Sequence, residues 1–231
     1  MRPGPVDLGV LGARLRQQTE IDDPITGPAD PLEVEARSKL WPHAAWWARI
    51  ELEQVSEGSG ARRLEEYRFT PASTLGGLPA IHGPGLPVAI VFERSPNGAS
   101  RARIYSARAL VAQRAPMLPV DEHLQPARAA DDVLGRHFAA LARADLAATL
   151  EQFEEDGYLQ LSSGEIHRGR EHLRIELARC FESGGIELRF CSSMQDGPRT
   201  AFEVHLPGGR PAVMVYERGR SGRIGAVRLY L

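Results

Sequence analysis

Apolar positions recur with two different periods along this chain, and the switch between them marks its elements. Leu134, His137, Phe138 and Leu141 stand at i, i+3, i+4 and i+7, one helical stripe with a histidine in it, within a helix expected over about 131–143. After Asp145, a residue type suited to an N-cap, Leu146, Thr149, Leu150 and Phe153 repeat that spacing. Tyr158-Leu-Gln-Leu161 predicts a short strand. Beyond Ile166-His-Arg-Gly-Arg-Glu-His172, a third helix carries Leu173, Leu177, Cys180 and Phe181 on one side, and Gly184-Gly185 stops it. The pattern then becomes strand-like, predicting strands near 185–194, 199–206, 211–218 and 223–231.

The first half ends in the same way, with strands expected near 48–55, 62–70, 86–94 and 100–106. Its helical part is poorer. One short helix fits 6–17, and Asp30-Pro31-Leu-Glu33 reads as N-cap, N1 proline and capping-box glutamate of another, ended by Pro42. The stretch 18–29 reads as irregular, so the first copy is expected to form a trimmed, more open cone, with Trp41, Trp46 and Trp47 filling space near it. The last strand pair is written twice. Pro87-Val-Ala-Ile-Val-Phe-Glu-Arg94 followed by Arg103-Ile-Tyr105 returns as Pro211-Ala-Val-Met-Val-Tyr-Glu-Arg218 followed by Arg228-Leu-Tyr230. A repeat of roughly a hundred residues is too long for a solenoid unit and reads as two copies of one small domain. The expected organisation is a trimmed domain over 1–114, a proline-punctuated linker over 115–130 and a complete domain over 131–231. The order of helices and strands predicts an α+β fold, a curved antiparallel sheet wrapped on helices, present in tandem.

Composition narrows the function classes. With 231 residues, 42% of them hydrophobic, the chain can bury two modest cores. No apolar run reaches the roughly 18 residues of a membrane span, and Met1-Arg-Pro-Gly-Pro-Val-Asp7 lacks the apolar region of a signal peptide. Cys180 and Cys191 are too few for a disulfide framework, so a cytoplasmic location is expected. A formal charge of -2 without a basic stripe argues against nucleic acid as a partner.

The run Arg136-His-Phe-Ala-Ala-Leu-Ala-Arg-Ala-Asp-Leu146, then Phe153-Glu-Glu-Asp156, His167-Arg-Gly-Arg-Glu171 and Gly222-Arg-Ile224, resembles the nuclear transport factor 2-like superfamily. Within it, the SnoaL-like polyketide cyclases and ketosteroid isomerases are most similar. The resemblance covers the second domain fully and the first through its sheet. It implies a cone between helices and sheet that encloses an apolar ligand. It also implies association through the convex sheet face, here as a pseudo-dimer within one chain, with a homodimer left open. In the isomerases a tyrosine, a general-base aspartate and a protonated aspartate carry the chemistry. Their positions fall here on His137, Leu161 and Met214, and neither leucine nor methionine exchanges a proton, which argues against that mechanism.

A register argument extends the candidate site. A two-residue type I′ turn at Gly208-Gly209 pairs 205 with 212, 203 with 214 and 201 with 216. The resemblance turns position 214 into the cone, so Glu203, His205, Ala212 and Tyr216 follow it, leaving Phe202, Val204, Leu206, Val213 and Val215 on the other face. Glu187 and Arg189 then point inward beside Glu203 and His205, or outward in the competing register. Glu203 beside His205 in an apolar cone could do general acid–base work, or could form a charge-satisfied structural network. His137 is a ligand contact or a hydrogen-bonded core histidine. Leu161, Tyr158, Met214 and Tyr216 complete the expected lining. Glu66 and Arg68 echo Glu203 and His205 in the first domain. No metal-site spacing, phosphate-binding loop or nucleophile elbow is present in the sequence, so neither metal nor cofactor is expected. Two functions follow: a cofactor-independent isomerase, cyclase or hydratase acting on a small apolar molecule, or a non-catalytic ligand-binding or interaction scaffold. In either, the first domain could act as a built-in dimer partner.

Overall fold

A computed structural model describes residues 3–23, 27–37, 41, 47–58, 61–71, 85–107, 118–124 and 132–231. The chain divides into two compact units. The first comprises Met1–Met117 with Ser162–Glu165 and Tyr230–Leu231, and the second comprises Leu118–Leu161 and Ile166–Leu229. Of the expected linker over 115–130, only 118–124 lies within the described residues, and Trp46 lies outside them. Among the described residues, no helix is long and apolar enough to cross a membrane.

In the second unit, α3 (Val133–Ala142) and α4 (Leu146–Glu151) precede strands β8 (Phe153–Gln160) and β9 (Ile166–Arg168). Helix α5 (Gly169–Cys180) follows, then β10 (Arg189–Asp196), β11 (Arg199–Leu206), β12 (Arg210–Arg218) and β13 (Ile224–Tyr230). The stripe expected on α3 is buried: Leu134, His137, Phe138 and Leu141 all face inward. Asp145 caps α4 through a bond from Ala148 N (3.0 Å). Phe153, expected as the last position of that helix, instead opens β8, where it pairs with Ile224 of the parallel neighbour β13. The sheet order is β10-β11-β12-β13-β8-β9.

The first unit contains β1 (Gly4–Val6), α1 (Leu8–Arg16), β2 (Glu20–Asp23), β3 (Gly27–Ala29) and α2 (Pro31–Arg37). It continues with β4 (Trp47–Glu57), β5 (Arg62–Pro71), β6 (Leu86–Arg94) and β7 (Ser100–Ser106). Asp30 caps α2 as its sequence suggests, accepting from Leu32 N (2.9 Å) and Glu33 N (3.2 Å). Within the stretch expected to be irregular, Glu20–Asp23 and Gly27–Ala29 are strands: β2 runs parallel to β7 and pairs antiparallel with β3, giving the order β1-β4-β5-β6-β7-β2-β3. Apart from the added edge strand β1, this is the order of the second sheet.

The duplication reaches individual residues. Glu66 pairs with Ala89 and Arg68 with Pro87, as Glu203 pairs with Val213 and His205 with Pro211. A bulge at Glu53 in β4 matches one at Cys191 in β10. Arg103 contacts Glu93 (2.7 Å) across β6 and β7, and Arg228 contacts Glu217 (3.3 Å) across β12 and β13.

The two interiors differ. In the first unit, Leu11, Leu15, Trp41, Trp47, Tyr67 and Phe69 fill the space between helices and sheet. Trp47 meets Phe69 edge-on at 5.0 Å. The carboxylate of Glu65, fully buried, is held by two bonds from Arg14 (2.9 Å each), by Arg63 (2.6 Å) and by the Tyr67 hydroxyl. Burial pushes this carboxyl up, but the bonds from Arg14 and Tyr67 and the arginine charges outweigh it and hold Glu65 below the usual carboxylate range. In the second unit, Phe138 is the hub of an edge-on aromatic cluster with Phe190 (5.1 Å), Tyr216 (5.3 Å) and Phe202 (5.4 Å). Beside it the packing stops short.

Candidate functional site

Next to the aromatic cluster lies a cavity of about 280 Å³ within the second unit. Helix α3 supplies His137 and Leu141, and α5 supplies Leu177 and Cys180. The sheet supplies Phe153 and Leu159 from β8, Met214 and Tyr216 from β12, and Val227 and Leu229 from β13, with Leu161 just past β8. Alternation puts these strand positions on one face, which is why the wall is almost wholly apolar. Leu206, Pro207, Arg210 and Ile186 complete it. Pro207 and Arg210 are exposed, so the β11–β12 turn marks the mouth.

Four polar side chains touch this space. His137 is 2% exposed, packed edge-on against Phe153 and Tyr216 (5.5 Å each). Its Nδ1 is buried without a hydrogen-bond partner among the described residues. Burial lowers its pKa to about 3, so the ring is neutral at physiological pH. Burial also raises the Tyr216 phenol, whose hydroxyl reaches, among the described residues, only the Met214 sulfur (3.8 Å). Cys180 is pushed up to about 11 by burial and then by the charge of Glu176, to which its thiol donates (3.6 Å). Arg210 sits at the mouth with no carboxylate partner among the described residues.

Of the residues expected at the site, His137, Leu161, Met214 and Tyr216 line the cavity together. Glu203, His205, Glu187, Arg189 and Tyr158 do not. The reason is one residue of register. Residues 207–209 form a three-residue connection, and Phe202, not Glu203, pairs with Met214. Gly209 N bonds Leu206 O (3.0 Å), and Gly208 has φ of +81°. That is a type II arrangement with Pro207 at i+1 and glycine at i+2. A two-residue turn would have required an N–H from residue 207, which proline lacks. The slip turns Phe202, Val204 and Leu206 toward the helices, and Glu203 and His205 to the opposite face.

There the Ser192 hydroxyl donates to Glu203 Oε2 (2.5 Å), and Arg189 pairs across the strands with His205. Burial, then the Arg189 charge, lowers the His205 pKa. Glu187 precedes β10 in an irregular exposed segment, so the outward alternative holds for it. Tyr158 also faces away, in a polar cleft of about 460 Å³, with the Arg168 guanidinium 4.7 Å from its ring centre. Arg210 had been overlooked. Its signal was Pro207, which fixes the turn and therefore which residue stands at the mouth.

No protein-family model matches the sequence, and no curated protein matches it either. The solved structures it resembles are nuclear transport factor 2-like, SnoaL-like and polyketide cyclase-like proteins. A SnoaL-like protein of unknown function from Burkholderia thailandensis is 15% identical, covering 49% of this chain and 99% of its own, with a TM-score of 0.39. A putative polyketide cyclase from Sinorhizobium meliloti is 18% identical over 42% of this chain and 92% of its own, with a TM-score of 0.38. SalBIII, an epoxide hydrolase/cyclase-like enzyme of pyran ring formation in salinomycin, is 20% identical over 47% of this chain and 95% of its own, also at 0.38. Each covers less than half of this chain.

Proposed function

We propose that the second unit binds a small, mainly apolar molecule in its cone, with His137 supplying the hydrogen bond that orients it. The observation that carries this reading is a buried imidazole in an apolar cavity wall, its Nδ1 without a hydrogen-bond partner among the described residues. An unsatisfied buried polar atom costs about 1–3 kcal/mol. A ligand with a hydroxyl or carbonyl group recovers that cost and so gains orientation as well as affinity. With His137 lowered to about 3 and the Tyr216 phenol raised, both groups are neutral at physiological pH and offer hydrogen bonds rather than ready proton exchange. That favours ligand binding over acid–base turnover. The carboxylate and histidine first expected to drive catalysis stand on the other face of the sheet.

The cavity holds about nine volumes of ~30 Å³, the share of one liquid water, so ligands of roughly that many non-hydrogen atoms fit. The test is calorimetric titration with straight-chain primary alcohols from butanol to decanol. Affinity should rise about fourfold per methylene, the equivalent of about 0.8 kcal/mol, and level off near octanol. Leu161→Trp, which fills the cavity, should abolish octanol binding while the variant keeps a cooperative thermal transition. Equal octanol binding by a folded Leu161→Trp variant would refute the site.

A further inference from the structure

Of the four polar side chains at the cavity, His137 and Arg210 lie toward opposite ends of it. Tyr216, the ring partner of His137, stands six residues along β12 from Arg210, about 20 Å of strand at ~3.3 Å per residue. Arg210 is fixed at the mouth by the turn that Pro207 dictates, where it is exposed and lines the cavity. Its guanidinium lacks a carboxylate partner among the described residues, unlike Arg179, Arg218 and Arg228 of the same unit, each of which meets one. Among the described residues, no other charged side chain contributes to the cavity lining.

From this we infer that the ligand class is an elongated medium-chain monocarboxylate whose far end carries a hydroxyl or carbonyl group for His137. Its apolar chain enters the cavity toward His137, and its carboxylate stays at the mouth on Arg210. The inference rests on the cavity reading above and adds a charge and an orientation to it. The physical logic is one of sign. A carboxylate brought to the rim of an apolar cavity loses hydration, so without a cation there it binds more weakly than the matching alcohol. A guanidinium reverses the order, because it offers paired N–H donors in the geometry a carboxylate accepts. An alkylammonium of equal length meets repulsion at the same place.

The experiment compares octanoate, octan-1-ol and octylammonium on the full chain by calorimetry at low salt, with wild type and Arg210→Gln. In wild type, octanoate should bind about fivefold more tightly than octanol, and octylammonium more weakly than either. Added salt should erode the octanoate advantage and leave octanol unchanged. In Arg210→Gln, octanoate affinity should fall below that of octanol. Octanol binding with no octanoate preference, or a preference that survives Arg210→Gln, overturns the assignment of Arg210 and leaves the cavity reading standing. If none of the three ligands binds the folded protein, the cavity reading itself fails.

Discussion

His137 shows how one residue type takes its meaning from its surroundings. On its helical stripe it could have been a hydrogen-bonded core residue. Instead it is buried with Nδ1 unpartnered, beside space. Its folded pKa, about 3, lies below the ordinary 6.5, so between those values the unfolded chain binds the extra proton. Stability should therefore be unaffected by this group above about pH 6.5. It should fall as pH drops toward 3, with a limiting slope of about 1.4 kcal/mol per pH unit. Urea denaturation across that window should show the slope in wild type and a flatter one in His137→Phe. At pH 7 the same variant should be as stable as wild type or about 1 kcal/mol more so, while losing affinity for octanol. A His137→Phe variant that is markedly less stable at pH 7 would mean that the imidazole has a structural partner after all. Glu65 makes the opposite case: buried just as deeply, it is fully paired and serves structure.

At the scale of elements, the β11–β12 hairpin decides what the cavity can contain. Alternating strands specify two faces but leave open which face is inside, and one residue in the turn reverses the answer. Pro207 and the two glycines settle it, with Gly208 and Gly209 at φ of +81° and +77°. A Cβ at either glycine would meet nothing within 4 Å, so only backbone strain opposes a substitution there. Gly209→Val should cost about 1–2 kcal/mol of unfolding free energy, read as a lower denaturant midpoint, the penalty of a left-handed backbone for a side chain branched at Cβ. It should also weaken octanoate more than octanol, because the turn carries Arg210. An unchanged midpoint would contradict the turn geometry. The short strands β2 and β3 were missed for a related reason. Glu20-Ile-Asp-Asp23 and Gly27-Pro-Ala29 have the composition of loops, and it is pairing with β7 that makes them strands.

Across the whole molecule, duplication kept the sheet and let the interiors diverge. The strand order, the bulge and the cross-strand Arg–Glu pair occur in both units. One interior is filled by tryptophan, phenylalanine and a paired carboxylate, whereas the other keeps an apolar cavity. Octanol should accordingly bind with a stoichiometry of one per chain, and Leu161→Trp alone should remove it; two equivalent sites in the calorimetric isotherm would show that the first interior also opens. The sequence by itself determined the two copies, the α+β class, the helices and long strands, and the helical stripe that holds His137, because hydrophobic period and capping are local physics; the places of Leu161, Met214 and Tyr216 were what the family resemblance implied. Tertiary structure alone decided the inward face of β11, the removal of Glu203 and His205 from the cone, and the position of Arg210 at its mouth. Those outcomes depend on which residues meet across strands, and a single proline without an N–H was enough to shift that meeting by one place.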